Sequence, residues 1–255
     1  MCYSRSLRIG QQGETVMTNL EQLRLKARPL LHFSDIADAL YIHYAFYHDP
    51  RRTQLYVHEN DAGHAEGFVA VCQTGQRLFQ PTVVLHAANV RAAAALLHEA
   101  LLPGRPYYLV TRPGLRDPAT KIIEIEQSGV NCIYRLDLSR VQFSINVLVV
   151  AEQGANGRPR FVIRSQGEMA AEAGLNWSSP HFAELFVRTT PAARGRGWGQ
   201  VVLAACTTWV IQSGRQPIYV IGEGNESSVA LAEATGYVDT GARELVVEGV
   251  CRSGD

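Results

Sequence analysis

The chain has 255 residues, 46% of them hydrophobic, with 24 lysines and arginines against 24 aspartates and glutamates. That length fits one large domain or two compact ones, and the balanced charge offers nucleic acid or an anionic membrane nothing to bind in bulk, so a polyanion must be met by a local site. Five cysteines, Cys2, Cys72, Cys132, Cys206 and Cys251, stand far apart with no CxxC pair and no histidine cluster at metal-ligand spacing, which points to a reduced, cytoplasmic protein with no metal site.

Residues 1–17 are polar and patternless, without the apolar stretch of a signal sequence, and read as a disordered tail with Met17 as a candidate start. No run approaches the roughly 20 apolar residues of a membrane-spanning helix. From TNLEQLRLKARPLLHF to SDIADALYIHYAFYHD apolar residues recur every three or four positions, predicting two short helices, the second capped by Ser34. DPRRTQLYVHENDAGHAEGFVAVCQTG alternates around Asn60, Asp61 and Gly63, a β-hairpin pattern. PTVVLHAAN, VRAAAALLHEALL and PYYLVTR follow as strand, helix, strand, one βαβ unit with parallel pairing.

PGLRDPATK is rich in turn formers, NCIYRLDL and NVLVVAEQ read as strands, and GANGRPR as a polar break, so a domain boundary is expected between about residues 130 and 155. RFVIRSQGEMAAEAGLNWS reads loosely as strand and loop. Then come the strand HFAELFV, a glycine-rich turn, the helix GQVVLAACTTWVIQSG, the strand PIYVIGEG, the short helix ESSVALAEATG and the strand RELVVEGV. The second half thus repeats the strand, helix, strand order of the first, but only the second copy carries glycines between its first strand and its helix. The first copy is expected to serve as scaffold or as one wall of a substrate cleft.

A helix start leaves backbone N–H groups without internal acceptors, and with the helix dipole these make a phosphate site. Gly195, Gly197 and Gly199 permit a tight turn and close approach there, and Arg194 and Arg196 add charge. The turn is not a P-loop, which ends in GK[ST], nor a dinucleotide fingerprint. Its RGxGxG, with Val187 and Pro191 before it, resembles the acyl-CoA motif of the GCN5-related N-acetyltransferases (GNAT), although three residues separate Val187 from Pro191 where the family usually has one. A second segment, from Asn225 through Ser228 and Leu231 to Gly236 and Tyr237, resembles the family's NxxSxxLxxxxG[FY], one strand further on.

The resemblance implies an α/β (α+β) fold: a mixed central sheet flanked by helices, with a degenerate GNAT-like copy over residues 18–140 and a complete acetyltransferase domain over 141–255, as in two-domain members such as the glycine N-acyltransferase-like proteins. It implies an N-acetyltransferase that moves an acetyl or acyl group from acetyl-CoA to the primary amine of a small molecule or amino acid, with no nucleic-acid or membrane partner and with a homodimer as a candidate state. The strands AELFV and PIYVI are expected to splay, so that Leu185, Phe186 and Val187 pair with pantetheine and the Val187 amide or a neighbour meets the oxyanion. The pyrophosphate is expected on Arg194, Gly195, Arg196, Gly197, Trp198, Gly199 and Gln200, with Asn225 and Ser228 along the arm, Asn225 doubling as a helix cap.

For the base, His181 and Glu184 compete. Alternation sets His181 on the face of Leu185 and Val187 and Glu184 on that of Phe182 and Phe186, and a bulge in the strand would break this parity. The tyrosine that many members carry after the motif leucine is here Ala232; Tyr219 is an alternative acid, and Tyr237 is expected in the core. Ala232 also favours a second reading, a catalytically silent acyl-CoA-binding module. A third is a scaffold whose glycine loop binds another phosphate. In this superfamily the acceptor is set by the N-terminal helices and by loops, here near residues 51–66 and 165–180.

Overall fold

The computed structural model describes residues 19–75, 77, 79–141, 148–154 and 157–253. The expected tail and the start of the strand NVLVVAEQ, over residues 146–147, lie outside them. The N-terminal helical region holds α1 (Asn19–Ala27) and α2 (Ala39–Ile42), which runs on as a wider π turn through His43–Tyr47. The side-chain cap comes from Asp35 rather than Ser34, at the head of a 3-10 turn (Ile36–Asp38) that leads into α2: its carboxylate accepts from the Ala37 amide at 2.9 Å.

The hairpin pairs β1 (Thr53–Glu59) with β2 (Ala65–Cys72), and its turn closes where the Gly63 amide donates to the Asn60 carbonyl at 2.8 Å. Next come β3 (Thr82–Ala87), α3 (Val90–Ala100) and β4 (Pro106–Thr111), with β3 and β4 parallel. The turn-rich PGLRDPATK contains a helix, α4 (Arg116–Ile122), because Pro118 falls within its first turn, where a proline costs no hydrogen bond. It leads directly into the long β5 (Ile123–Leu136).

The second half comprises β6 (Val150–Gln153), β7 (Pro159–Ser165), β8 (Glu168–Ser178), β9 (Phe182–Thr189), α5 (Trp198–Gln212), β10 (Gln216–Gly222), α6 (Glu226–Ala234) and β11 (Tyr237–Cys251). The stretch read loosely as strand and loop is a hairpin, β7 and β8, turning at Gln166 and Gly167, both with positive φ. Among the described residues eleven strands form one mixed sheet in the order β1-β2-β3-β4-β11-β5-β10-β9-β8-β7-β6. The last strand, β11, lies between β4 and β5, and β5 from the first half lies between β11 and β10. Each half therefore borrows a strand from the other.

Three apolar cores follow from this layout. α3 and α4 cover one face of the first half through Leu96, Leu97 and Ala119. α5 covers the same layer of the second half through Val202, Leu203, Cys206 and Val210, each apolar side chain stabilising by about 1.5–3 kcal/mol on burial. The N-terminal helices pack on the opposite face over both halves at once, joining Leu40 and Tyr44 to Val84, Trp177, Phe182 and Ile218. Cys72, Cys132, Cys206 and Cys251 are free and buried. Among the described residues no helix is long and apolar enough to cross a membrane.

Candidate active site

β9 and β10 pair in parallel from Phe182–Gln216 to Leu185–Tyr219 and no further. Beyond that vertex the edge of β9 facing β10 is unpaired, as the expected splay requires. At the far end of β9 the chain turns through Pro191–Ala193 into α5. Gly195 and Gly197 sit at φ +74° and +73°, a backbone region that side chains strain, and Gly199 lies so close to β9 that an added Cβ would stand 2.9 Å from Thr189 Oγ1. Gly197 caps α5 without a side chain, and the first intrahelical bond runs from the Val201 amide to the Gly197 carbonyl at 3.2 Å. The amides of Trp198, Gly199 and Gln200 therefore precede any internal acceptor.

These groups line a cavity of about 810 Å³ together with Val187, Arg194, Asn225 and Ser228. Asn225 caps α6, its Oδ1 accepting from the Ser228 amide at 3.1 Å, and Gln200 donates to the Ala234 carbonyl at 2.9 Å, tying α5 to α6. Trp198 packs against the α5 core and also lines the cavity, whereas Arg196 does not line it; its guanidinium lies 5.0 Å from the Trp198 ring. Leu185 is buried in the core under α5, and Phe186 lines a separate groove.

On the opposite face of the same vertex, Glu184 lines an inner cavity of about 150 Å³ with Tyr44, Tyr108, Trp177 and Glu244. The bulge lies not on β9 but on its neighbour β8: Leu175 pairs with Leu185 and Trp177 with Glu184, leaving Asn176 as the extra residue. A bulge turns two consecutive side chains toward one face. Both donate to Glu184, Asn176 Nδ2 to Oε1 at 2.7 Å and Trp177 Nε1 to Oε2. Burial pushes the Glu184 carboxyl upward and these two donors pull it back. β9 keeps its parity, so Glu184 faces the N-terminal helices while Ala183 and Leu185 face α5.

Residues 164–246 match a family described as FR47-like protein. Curated protein sequences give no match. Among solved structures, a Drosophila protein determined by structural genomics aligns over 92% of this chain and 96% of its own at 13% identity, with a TM-score of 0.66. A GCN5-related N-acetyltransferase-like protein from Streptococcus suis aligns over 89% of this chain and 98% of its own at 17% identity, with a TM-score of 0.57. A tandem GNAT protein from the clavulanic acid biosynthesis pathway aligns over 93% and 97% at 13% identity, again with a TM-score of 0.57. The chain has the fold of these GNAT structures. At these identities the likeness carries the fold, and the chemistry rests on the site.

Within this GNAT fold the two candidate bases are separated. His181 is exposed at the start of β9, where its carbonyl accepts from Gln216 and its amide lies 3.4 Å from Ser179 Oγ; it lines neither cavity. Ala232 lies within α6 and is fully buried against the core. Tyr237 is in the core, its hydroxyl 2.7 Å from Thr207 Oγ1. Tyr219 stands at the vertex of the splay with its hydroxyl bonded to Ser228, a residue of the larger cavity, and burial raises its pKa.

Sequence reasoning missed Asn176, Trp177, Tyr44, Tyr108 and Glu244. Nothing in the local pattern distinguishes Glu244 from a solvated strand residue. Across the sheet it pairs with Asn131, whose side chain hydrogen-bonds its carboxyl, and burial together with the Glu184 charge pushes it up to about 8. The N-terminal helical region and the strand ending at Ser178 both contribute to the inner cavity, while β1 and its turn do not.

Proposed function

We propose that this chain is an acyl-CoA-dependent N-acyltransferase acting on a primary amine. The observation that carries the reading is the splay at Leu185–Tyr219, with the glycine turn and its 810 Å³ cavity on one side and Glu184 on the other. The two left-handed glycines, the Arg194 side chain and the free amides of α5 suit a pyrophosphate. The edge of β9 that is unpaired beyond Leu185, at Phe186 and Val187, offers the amides that a pantetheine arm bonds. Acetyl-CoA supplies the thioester.

Glu184 takes a proton from the acceptor ammonium, which frees the nitrogen lone pair. The new N–C bond forms as the thioester C–S bond breaks, and the proton then lost by nitrogen goes to the departing thiolate. Backbone N–H groups on the free edge of β9 face the oxygen that gains charge in between. With Ala232 at the family's tyrosine position, Tyr219, which pairs with Leu185 at the vertex, is the candidate acid, reaching the cavity through Ser228. Four buried free thiols suit a reducing, cytoplasmic compartment.

Thermal unfolding with acetyl-CoA, beside ATP and NAD, tests the reading. Acetyl-CoA at about a hundred times its dissociation constant stabilises by about 2.7 kcal/mol, and Arg194→Ala should blunt the shift. A shift by acetyl-CoA alone supports the site; equal shifts by ATP and NAD, or none by any ligand, overturn it. Ala232 favours a second reading, a silent acyl-CoA-binding module, and release of free CoA thiol in the presence of amines separates the two.

A further inference from the structure

The inner cavity is built to accept hydrogen bonds. Glu184 and Glu244 both line it, and so do Tyr44 and Tyr108, for whose hydroxyls no protein partner occurs among the described residues. Tyr44 is 8% exposed and Glu244 is 4% exposed, so these groups are removed from bulk water. The amide and indole donors at hand are already committed: Asn176 and Trp177 to Glu184, and Asn131 to Glu244. Two carboxyls whose amide and indole partners are already engaged, beside two phenol oxygens that can accept, favour a ligand that donates in several directions and carries positive charge, which describes an ammonium group.

The inner cavity shares Arg77, Tyr108 and Asn131 with an outer cavity of about 280 Å³. Two further carboxylates, Glu223 and Glu248, line the outer space. Arg77 is the only cationic side chain lining either cavity among the described residues, and it is engaged: its Nη1 lies 2.7 Å from Glu248 Oε1 and 2.9 Å from Gln80 Oε1, with the guanidinium 4.0 Å from the Tyr108 ring. Glu184, Glu223 and Glu248 against one paired arginine leave the path from surface to vertex negative, and an ammonium beside Glu244 would favour its charged form.

We propose that the two cavities take the acyl acceptor as a linear diamine, its reacting amine between Glu184 and Glu244 and its second ammonium at Glu223 and Glu248. The proposal rests on the acyl-transfer reading for the reaction, but not for the binding. An amino acid acceptor would bring its carboxylate into this field, with Arg77 already paired.

Calorimetry on the full chain, with and without CoA, using 1,4-diaminobutane, butylamine and 4-aminobutanoate, tests it. The diamine should bind at least ten times more tightly than butylamine, and 4-aminobutanoate should not bind measurably. Glu244→Gln should weaken diamine binding at least tenfold while leaving the acetyl-CoA melting shift unchanged. Glu223→Gln, at an exposed position where folding is not at risk, should weaken the diamine about threefold and leave butylamine alone. Equal binding of diamine and monoamine, preference for 4-aminobutanoate, or indifference to both variants overturns the proposal. Diamine binding without any acetyl-CoA shift would uphold the dication site and overturn the transferase reading instead; an acetyl-CoA shift without diamine binding does the reverse.

Discussion

The two halves of the sheet contain the same parallel pair joined by a helix, and they use it in opposite ways. In the second half β9 and β10 part beyond Leu185–Tyr219 and a glycine turn opens the gap. In the first half β3 and β4 also stop pairing, after Val84–Val110, but the gap is stitched: buried Thr111 Oγ1 donates to the Leu85 carbonyl at 2.8 Å. His86 fills the space beside it, stacked on Phe68 at 5.5 Å and edge-on to Tyr41 at 5.3 Å. Where α5 begins on Gly197 with free amides, α3 begins on Asn89, whose Oδ1 accepts from the Ala92 amide at 2.8 Å. One hydroxyl, one ring and one cap thus turn a ligand cleft into a structural joint, and the closed half serves as a wall, lending Tyr44, Thr82 and Tyr108 to the inner cavity.

If the open half alone does chemistry, its vertex should dominate every activity measurement. Glu184→Gln should lower kcat by about 10²–10⁴ while the acetyl-CoA melting shift persists; a kcat within a few-fold of the parent would remove Glu184 from the proton's path. Gly197→Asp should follow in size. An aspartate tolerates positive φ better than most side chains, so the fold should survive with a melting temperature lowered by only a few degrees. Its carboxylate would stand in the anion site, and titration calorimetry should show CoA binding at least 100-fold weaker, about 2.7 kcal/mol.

The inner carboxylates give a pH signature absent from the closed wedge. Glu244 is raised to about 8, with Glu184, Tyr44, Tyr108, Asn131 and Arg77 facing the same space. The folded protein holds this proton longer than the unfolded chain does. The resulting stability is full below the ordinary carboxyl value and is lost as pH rises through about 8, at about 1.36 kcal/mol per unit of difference. Melting temperatures should therefore fall between pH 5 and pH 9 in the parent and fall less steeply in Glu244→Gln. Parallel slopes in the two proteins would show that the pair titrates elsewhere.

The open wedge was legible because its chemistry is local: the glycines that must take positive φ, Asn225 as a cap, and the alternation that turns Glu184 away from Leu185 all lie within short segments. The bulge at Asn176 was not, since nothing in GLNWS separates a bulged strand from a regular one, and the side chains that hold Glu184 come from it. Nor was Glu244, whose alternation with Leu245 and Val247 reads as a solvated face until β11 inserts between β4 and β5 and the N-terminal helices cover it. Such long-range placement leaves no trace in a window of ten residues. Helix α4 was missed for the opposite reason, a local signal taken at face value: prolines and a glycine read as a turn, although Pro118 sits where a helix start tolerates it.

The finest test compares two asparagine caps that make the same hydrogen bond. Asn89 Oδ1 accepts from Ala92 at 2.8 Å at the head of α3, and Asn225 Oδ1 from Ser228 at 3.1 Å at the head of α6. Replacing either with alanine should cost about 1 kcal/mol, a drop of roughly 2–4 °C for a chain of this size. Their effects on ligand should part, because Asn225 and Ser228 line the large cavity and Asn89 does not. Asn225→Ala should weaken CoA several-fold as well as lowering the melting temperature. Asn89→Ala should lower the melting temperature by the same amount and leave CoA affinity unchanged. Equal losses of affinity in the two variants would mean that CoA senses general loosening of the sheet, and that the closed wedge is coupled to the open one through the strands the halves exchange.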